Sequence, residues 1–310
     1  MSSTAPAIAP ASQRPAKTGK KLLTYPDHLT ILLDEYLAGL GYGGDESVDT
    51  LSQAMNYSLL AGGKRIRPVL LMATAQAYGA DPTRLLPTSA ALEMIHTYSL
   101  IHDDLPAFDD DDLRRGQPTC HIKFGESVAI LAGDALFAEA FRLICEQQTA
   151  DPAVLIEVVR EIAAATGVKG MVGGQYLDVA GGAADADSLR LLHHLKTGRL
   201  IVGCVHCGGL LAGAAPAQLT KLRVFATELG LLFQIKDDIL DVVGETAVLG
   251  KAAGTDERLQ RRTYVSVYGL EQSEQMAGET RDRALAALAA VGGDIRDLAG
   301  ITHYIYERQR

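Results

Sequence analysis

Apolar residues along this chain recur at helical spacing rather than in alternation. In the stretch 85–103, Leu92, Ile95, Tyr98 and Ile101 follow one another at intervals of three, which keeps them near one face of an α-helix. Comparable Ala- and Leu-rich stretches fill 126–147, 153–180, 188–212 and 217–243. Short alternating segments at regular spacing, the mark of a sandwich or barrel, do not occur. The pattern predicts an all-α fold. No repeat or shift of composition divides the chain after its first residues, and the Gly/Ala/Asp cluster at 180–187 reads as a loop between helices. A single domain over 22–310 is expected, an antiparallel helix bundle in which side chains from facing helices meet in a central cavity.

Composition narrows what such a bundle does. The chain has 310 residues and is 47% hydrophobic, enough for a large core. Glu139 and Arg142 interrupt the apolar segment 128–145, so no membrane span is predicted. Cys120, Cys145, Cys204 and Cys207 are too few and scattered for a disulfide framework, which favours a reducing, cytoplasmic location. Cys204 and Cys207 enclose His206 in a C-x-x-C, but apolar flanks and the lack of a second pair favour packing over zinc or redox chemistry. A net charge of −9 argues against nucleic acid or an anionic membrane as partner. Residues 1–20 carry Arg14, Lys17 and Lys20 with no acid, yet their prolines and shortage of large apolar side chains favour a disordered tail over 1–21 rather than a transit peptide.

Two acidic clusters stand out. In TYSLIHDDLPAFDDDDLRRG, Thr97 to Gly116, the helical pattern runs into Pro106, which places Asp103 and Asp104 on a last turn and Asp109 just beyond. Carboxylates at a helix C-terminus are disfavoured by some tenths of a kcal/mol unless a cation compensates (about 0.3–1). In FQIKDDILD, Phe233 to Asp241, a helix aligns Gln234, Asp237, Asp238 and Asp241 on one stripe of an otherwise apolar surface. Such a face must meet solvent or cations, since burying carboxylates unpaired is costly. Either cluster alone reads as a solvated helix end. Together, with few histidines, they suit Mg²⁺, which takes one or two carboxylates and fills its shell with water and phosphate oxygens.

The basic residues fit a phosphate ligand. GGKRIRP, Gly62 to Pro68, sets three cations among four positions beside glycines but lacks the GxxxxGK[ST] spacing of a nucleotide loop. Arginine offers paired donors to phosphate oxygens and lysine a point charge. Arg114 and Arg115 either hold further oxygens or pair with neighbouring aspartates, and His96, seven residues before Asp103 on the same helical face, is either structural or part of the cavity.

With GGKRIRP, HDDLPAFDDDDLRRG, GGQYLDV, LKTG and FQIKDDILD in this order, residues 29–306 resemble the trans-prenyl diphosphate synthases, above all the bacterial farnesyl type. The resemblance implies a Mg²⁺-dependent prenyltransferase that joins isopentenyl diphosphate to an allylic diphosphate by ionisation, condensation and elimination. Asp103, Asp109 and Asp237 would bind the metal, three ions per site with the allylic diphosphate present. Arg114, Lys196 and Lys251 would hold that diphosphate, with Lys196, Thr197 and Gln234 catalytic at the reacting end. Lys64, Arg67, His96 and Arg115 would hold isopentenyl diphosphate, and Asp104, Asp238 and Asp241 would position the metal's or substrate's partners. Tyr98, five places before the first aspartate, and Ser99 would set product length: an aromatic Tyr98 resembles the fifteen-carbon type, small residues the twenty-carbon, geranylgeranyl type. Helical geometry by itself nominates Ser99 as the floor. A homodimer is the family's usual state. Val265 and Arg262 depart from the family's usual proline and lysine in the loop after Lys251.

Three other readings compete. A di-iron bundle would use Glu93 and His96 as a Glu-x-x-His pair but needs a second copy, which the chain lacks. A class I terpene cyclase would need neither Lys64 and Arg67 nor two aspartate-rich motifs. An inactive helical regulatory subunit should have lost ligands, and none is missing.

Overall fold

The computed structural model describes residues 24–42, 46–181, 185–243 and 262–308. The tail expected over 1–21, and Lys251, lie outside the described residues. The chain forms helices α1 (Asp27–Ala38), α2 (Asp49–Leu59), α3 (Ile66–Ala77), α4 (Leu86–Asp103), α5 (Cys120–Phe124), α6 (Glu126–Gln147) and α7 (Pro152–Thr166). It continues through α8 (Met171–Val179), α9 (Ala186–His193), α10 (Arg199–Leu211), α11 (Pro216–Val243), α12 (Tyr264–Tyr268), α13 (Leu270–Ala289) and α14 (Arg296–Glu307). The strands among the described residues are a small antiparallel ribbon, β1 (Leu113–Arg114) and β2 (Gln117–Pro118), between α4 and α5.

The helices pack where their sequences allow close approach. On α6, Ala129, Ala132, Gly133, Leu136, Ala140, Leu143 and Ile144 are buried and share one helical face. Their stripe meets α4, and its small members let the two helices come together. Burial of a side chain such as Leu136 stabilises the fold by about 1.5–3 kcal/mol relative to exposure. In the same way α3 packs on α4 and α10, α10 on α7 and α11, and α11 on α13. One cluster of buried apolar side chains runs from Tyr25 to Ile305.

Two long apolar stretches are divided. The stretch 153–180 breaks after Thr166, where Gly167 adopts an extended conformation and α8 restarts at Met171. Between α9 and α10 the chain stays helical but passes through a π-turn, His194–Gly198. α12 opens on a reciprocal cap between Thr263 and Ser266, so its N-terminus is satisfied without a proline, and Val265 sits in the first turn.

Cys204 and Cys207 are buried on α10, and burial pushes the Cys204 thiol up to about 12, as expected of packing residues. Among the described residues no helix is long and apolar enough to cross a membrane.

Candidate active site

The C-terminus of α4, the loop after it, α8, the π-turn and α11 surround a cavity of about 700 Å³. Tyr98, Ser99, Asp103, Asp109 and Arg114 line one side. Lys196 and Thr197 come from the π-turn, and Phe233, Gln234, Asp237, Asp238 and Asp241 from α11. Arg67, near the start of α3, and His96 of α4 also line it.

At the first acidic cluster the helix ends as Pro106 predicts. The loop then folds back over the helix terminus, with Asp109 N–H donating to the Asp103 carbonyl at 2.9 Å and Asp111 N–H to that of Asp104 at 3.2 Å. These bonds satisfy terminal carbonyls and return Asp109 to the vicinity of Asp103. Asp104 turns away from the role of ligand. It is buried, and Arg114 Nε donates to its two oxygens at 2.7 and 2.9 Å. Burial pushes the Asp103 carboxyl up to about 6, with the negative charge of Asp109 adding to the effect while Lys196 and Arg114 oppose it. A divalent cation would relieve both the desolvation and the repulsion.

On the facing wall, Asp238 is the fixed member. Its Oδ1 accepts from Gln234 Nε2 at 2.8 Å and its Oδ2 from the Tyr264 backbone N–H at 2.7 Å. Gln234 Oε1 in turn accepts from Thr197 Oγ1 at 3.0 Å. The chain of bonds orients the amide and leaves the threonine oxygen's lone pairs to the cavity. Asp237 accepts from Arg308 Nη2 at 2.6 Å. Lys196 Nζ donates to Asp178 Oδ2 at 2.7 Å. A π-turn changes which side chains share a face, and this one presents both Lys196 and Thr197 to the cavity. The turn is reached across Gly174, where a Cβ would stand 2.2 Å from the Lys196 nitrogen.

The basic residues divide. Arg67 Nη1 lies 3.2 Å from His96 Nε2. Burial, then the charges of Arg67 and Arg115, hold the imidazole well below its ordinary range, so it stays neutral and accepts from Arg67. Arg115 donates to the Gly62 carbonyl. Lys64 is set apart from the cavity lining: its Nζ is 3.7 Å from Asp27 and over the Tyr25 and Tyr304 rings. Both chain-length positions line the cavity, and Tyr98 packs edge-on to Phe137 of α6 at 5.0 Å and to His102 at 5.5 Å.

The sequence reading passed over Gln175, Asp178, Phe233, Phe137 and Arg308. Gln175 lines the cavity with both amide atoms buried and without a hydrogen-bond partner. Asp178 and Gln175 lie in GGQYLDV, so the motif itself carried that signal. Arg308 is 71 residues from Asp237, and no local pattern links them.

Among the described residues no group of three or more His, Cys, Asp and Glu side chains is arranged to hold a metal ion. A cation here would take one or two carboxylates from Asp103, Asp109 or Asp237 and complete its shell from phosphate and water, the habit of Mg²⁺.

Comparison with known proteins agrees with this arrangement. The family described as Polyprenyl synthetase matches residues 48–292. A farnesyl diphosphate synthase of Escherichia coli (strain K12) is 44% identical over 286 residues, 90% of this chain and 94% of its own. A chloroplastic geranylgeranyl pyrophosphate synthase 7 of Arabidopsis thaliana is 40% identical over 289 residues, 88% of this chain and 83% of its own. A solved geranyltransferase of Helicobacter pylori, complexed with magnesium and isoprenyl diphosphate, superposes with a TM-score of 0.81 at 30% identity, covering 90% of this chain and 94% of that one.

Proposed function

The chain belongs to the polyprenyl synthetase family, and from that premise we propose that it is a farnesyl diphosphate synthase, condensing isopentenyl diphosphate with dimethylallyl and then geranyl diphosphate. The observation that carries the reading is the cavity's construction, acidic on two facing walls, cationic between and beside them, and lined also by the aromatic Tyr98.

Asp103, Asp109 and Asp237 would hold Mg²⁺, three ions with the allylic diphosphate bound; the burial of Asp103 beside Asp109, which raises its carboxyl, supports a cation there. When bound, Mg²⁺ supplies Lewis-acid stabilisation of the departing diphosphate. Arg114, with Lys196 and with Lys251, holds that diphosphate. Arg114 is kept aimed by Asp104 and Lys196 by Asp178. As the carbon–oxygen bond breaks, the oxygens of Thr197 and Gln234 face the allylic cation, already oriented by Asp238. Apolar lining excludes water that would quench the cation. The isopentenyl double bond attacks it, its diphosphate held by Arg67 and His96 of the lining with Arg115 and Lys64 from outside it, and the released diphosphate accepts the proton. Asp241 positions groups around the metal.

Tyr98, braced by Phe137, limits growth to fifteen carbons. The similarity to a geranylgeranyl synthase favours a twenty-carbon product as the second reading. A single domain over 22–310 behind a short tail, a cytoplasmic location and a homodimer complete the reading. Exposed Ile130 and Leu131 on α6 and Ile122 on α5 offer an apolar surface for association.

The test is incubation of the protein with labelled isopentenyl diphosphate and, separately, dimethylallyl, geranyl and farnesyl diphosphate, with product length read by chromatography. Fifteen-carbon product from the first two primers is expected. Twenty-carbon product would move the assignment to the second reading, and no condensation would leave an inactive subunit.

A further inference from the structure

In the basic loop before α3, Arg65 is turned into the protein, away from the cavity. Arg65 lies between Lys64 and Arg67, yet its side chain is about 1% exposed and turned inward. All three guanidinium nitrogens are engaged: Nε donates to Asp34 Oδ1 at 2.9 Å, Nη1 to Glu93 Oε1 at 2.7 Å and Nη2 to the Leu59 carbonyl at 2.9 Å. Glu93 is as deeply buried, at 2%. This is the glutamate of the Glu-x-x-His pair, and the fold gives it a partner other than metal.

The backbone at Arg65 is unusual. Its φ of 53° is left-handed, a region non-glycine residues rarely occupy. Gly62 and Gly63 precede it with φ of 79° and 127°, so the loop makes a contorted approach to the α3 N-terminus. A strained residue persists where its surroundings over-determine it, and the fork of hydrogen bonds from Arg65 to α1, α2 and α4 does so. The loop held in this way supports Arg67, which lines the cavity, and Arg115 beside it. Gly63 has room for the Arg115 guanidinium, which a Cβ there would approach to 2.9 Å, and Gly62 supplies the carbonyl to which Arg115 donates. Arg67, two residues beyond the strained position, meets His96, which stands one turn after Glu93 on the same helix. One face of α4 therefore anchors the loop through Glu93 and borders its active side chain through His96.

We propose that Arg65 and Glu93 are a positioning pair for the isopentenyl diphosphate site: their buried fork locks the left-handed turn that aims Arg67 and seats Arg115. The inference rests on the assignment of those two arginines and His96 to isopentenyl diphosphate. A lysine at 65 keeps the charge but has no fork to span Asp34, Glu93 and the Leu59 carbonyl together. Replacing both members with apolar side chains of similar size removes the fork without leaving a buried charge unpaired.

The test compares Arg65→Lys, Glu93→Gln, the double variant Arg65→Met/Glu93→Leu, and Arg67→Gln as a control on the substrate assignment. KM is measured separately for isopentenyl and geranyl diphosphate, together with kcat and the thermal melt by circular dichroism. In Arg65→Lys and in the double variant, KM for isopentenyl diphosphate should rise about tenfold or more, a loss on the scale of a charge-assisted pair. KM for geranyl diphosphate should stay within about twofold. The double variant should melt near the wild type while keeping the raised KM, which a merely structural pair would not do. A folded double variant with unchanged KM for isopentenyl diphosphate, or with both KM values raised alike, overturns the proposal. If Arg67→Gln leaves KM for isopentenyl diphosphate unchanged, the assignment of the cluster falls and the positioning role falls with it.

Discussion

The two acidic walls reach the same division of labour by different local structures. At the end of α4 the adjacent aspartates are split by a helix terminus: Asp104 is buried under Arg114 while Asp103 faces the cavity beside Asp109. On α11 the adjacent aspartates remain within one helix, and Asp238 is tied by Gln234 and the Tyr264 amide while Asp237 meets Arg308. In both, one carboxylate is held by protein donors that orient a neighbour, and the other faces the cavity. A doubled aspartate thus serves two purposes at once, and each purpose makes its own prediction.

The largest effects belong to the cavity-facing members. Asp103→Asn and Asp237→Asn should each lower kcat/KM by at least about a thousandfold, since each removes charge from a metal site. Circular dichroism should show the helical fold intact, and near-normal turnover in either variant would remove that residue from the metal assignment. The fixed members should matter less and in different ways. Asp104→Asn and Asp238→Asn should cost about 10–100-fold, the usual range for residues that orient a ligand. Steady-state kinetics should show Asp104→Asn raising KM for the allylic substrate through Arg114, and Asp238→Asn lowering kcat through the Gln234 amide. Equal effects on both parameters in both variants would erase the distinction.

Between the walls, Tyr98→Ala should shift the main product from fifteen to twenty carbons or more, read by chromatography. An unchanged product would take the floor away from Tyr98. The smallest effect concerns the asymmetry that Arg308 creates. Its guanidinium holds the carboxylate that a metal would use, so Arg308→Gln should lower the Mg²⁺ concentration for half-maximal activity by about two- to fivefold, the scale of a partly exposed ion pair. A higher requirement would mean that Arg308 supports the site instead of competing for it.

What the sequence makes legible here is what one helix can carry. The stripe of Gln234, Asp237, Asp238 and Asp241 follows from 3.6-residue periodicity alone, and all four line the cavity. Pro106 marks the end of α4 to within a few residues. Periodicity says nothing about which helices face each other, and the residues it passed over depend on that. Phe137 meets Tyr98 because of the register between α6 and α4, and Asp178 meets Lys196 because α8 crosses the π-turn at Gly174. The π-turn itself defeats an α-helical wheel, which would separate Lys196 and Thr197 by 100° without saying that both face inward. Arg65 reads as one of the three cations of GGKRIRP because a buried guanidinium is indistinguishable in sequence from a solvated one. Its partners, Asp34 and Glu93, lie 31 and 28 residues away.

Under the proposed function both acidic walls act through metal on one diphosphate. Calorimetric titration of a non-ionisable geranyl thiodiphosphate into the wild type, Asp103→Asn and Asp237→Asn, each with and without Mg²⁺, tests this directly. Binding that requires Mg²⁺ in the wild type and fails in both variants is the predicted result, whereas equal affinity without Mg²⁺, or binding unaffected by loss of either aspartate, would contradict it.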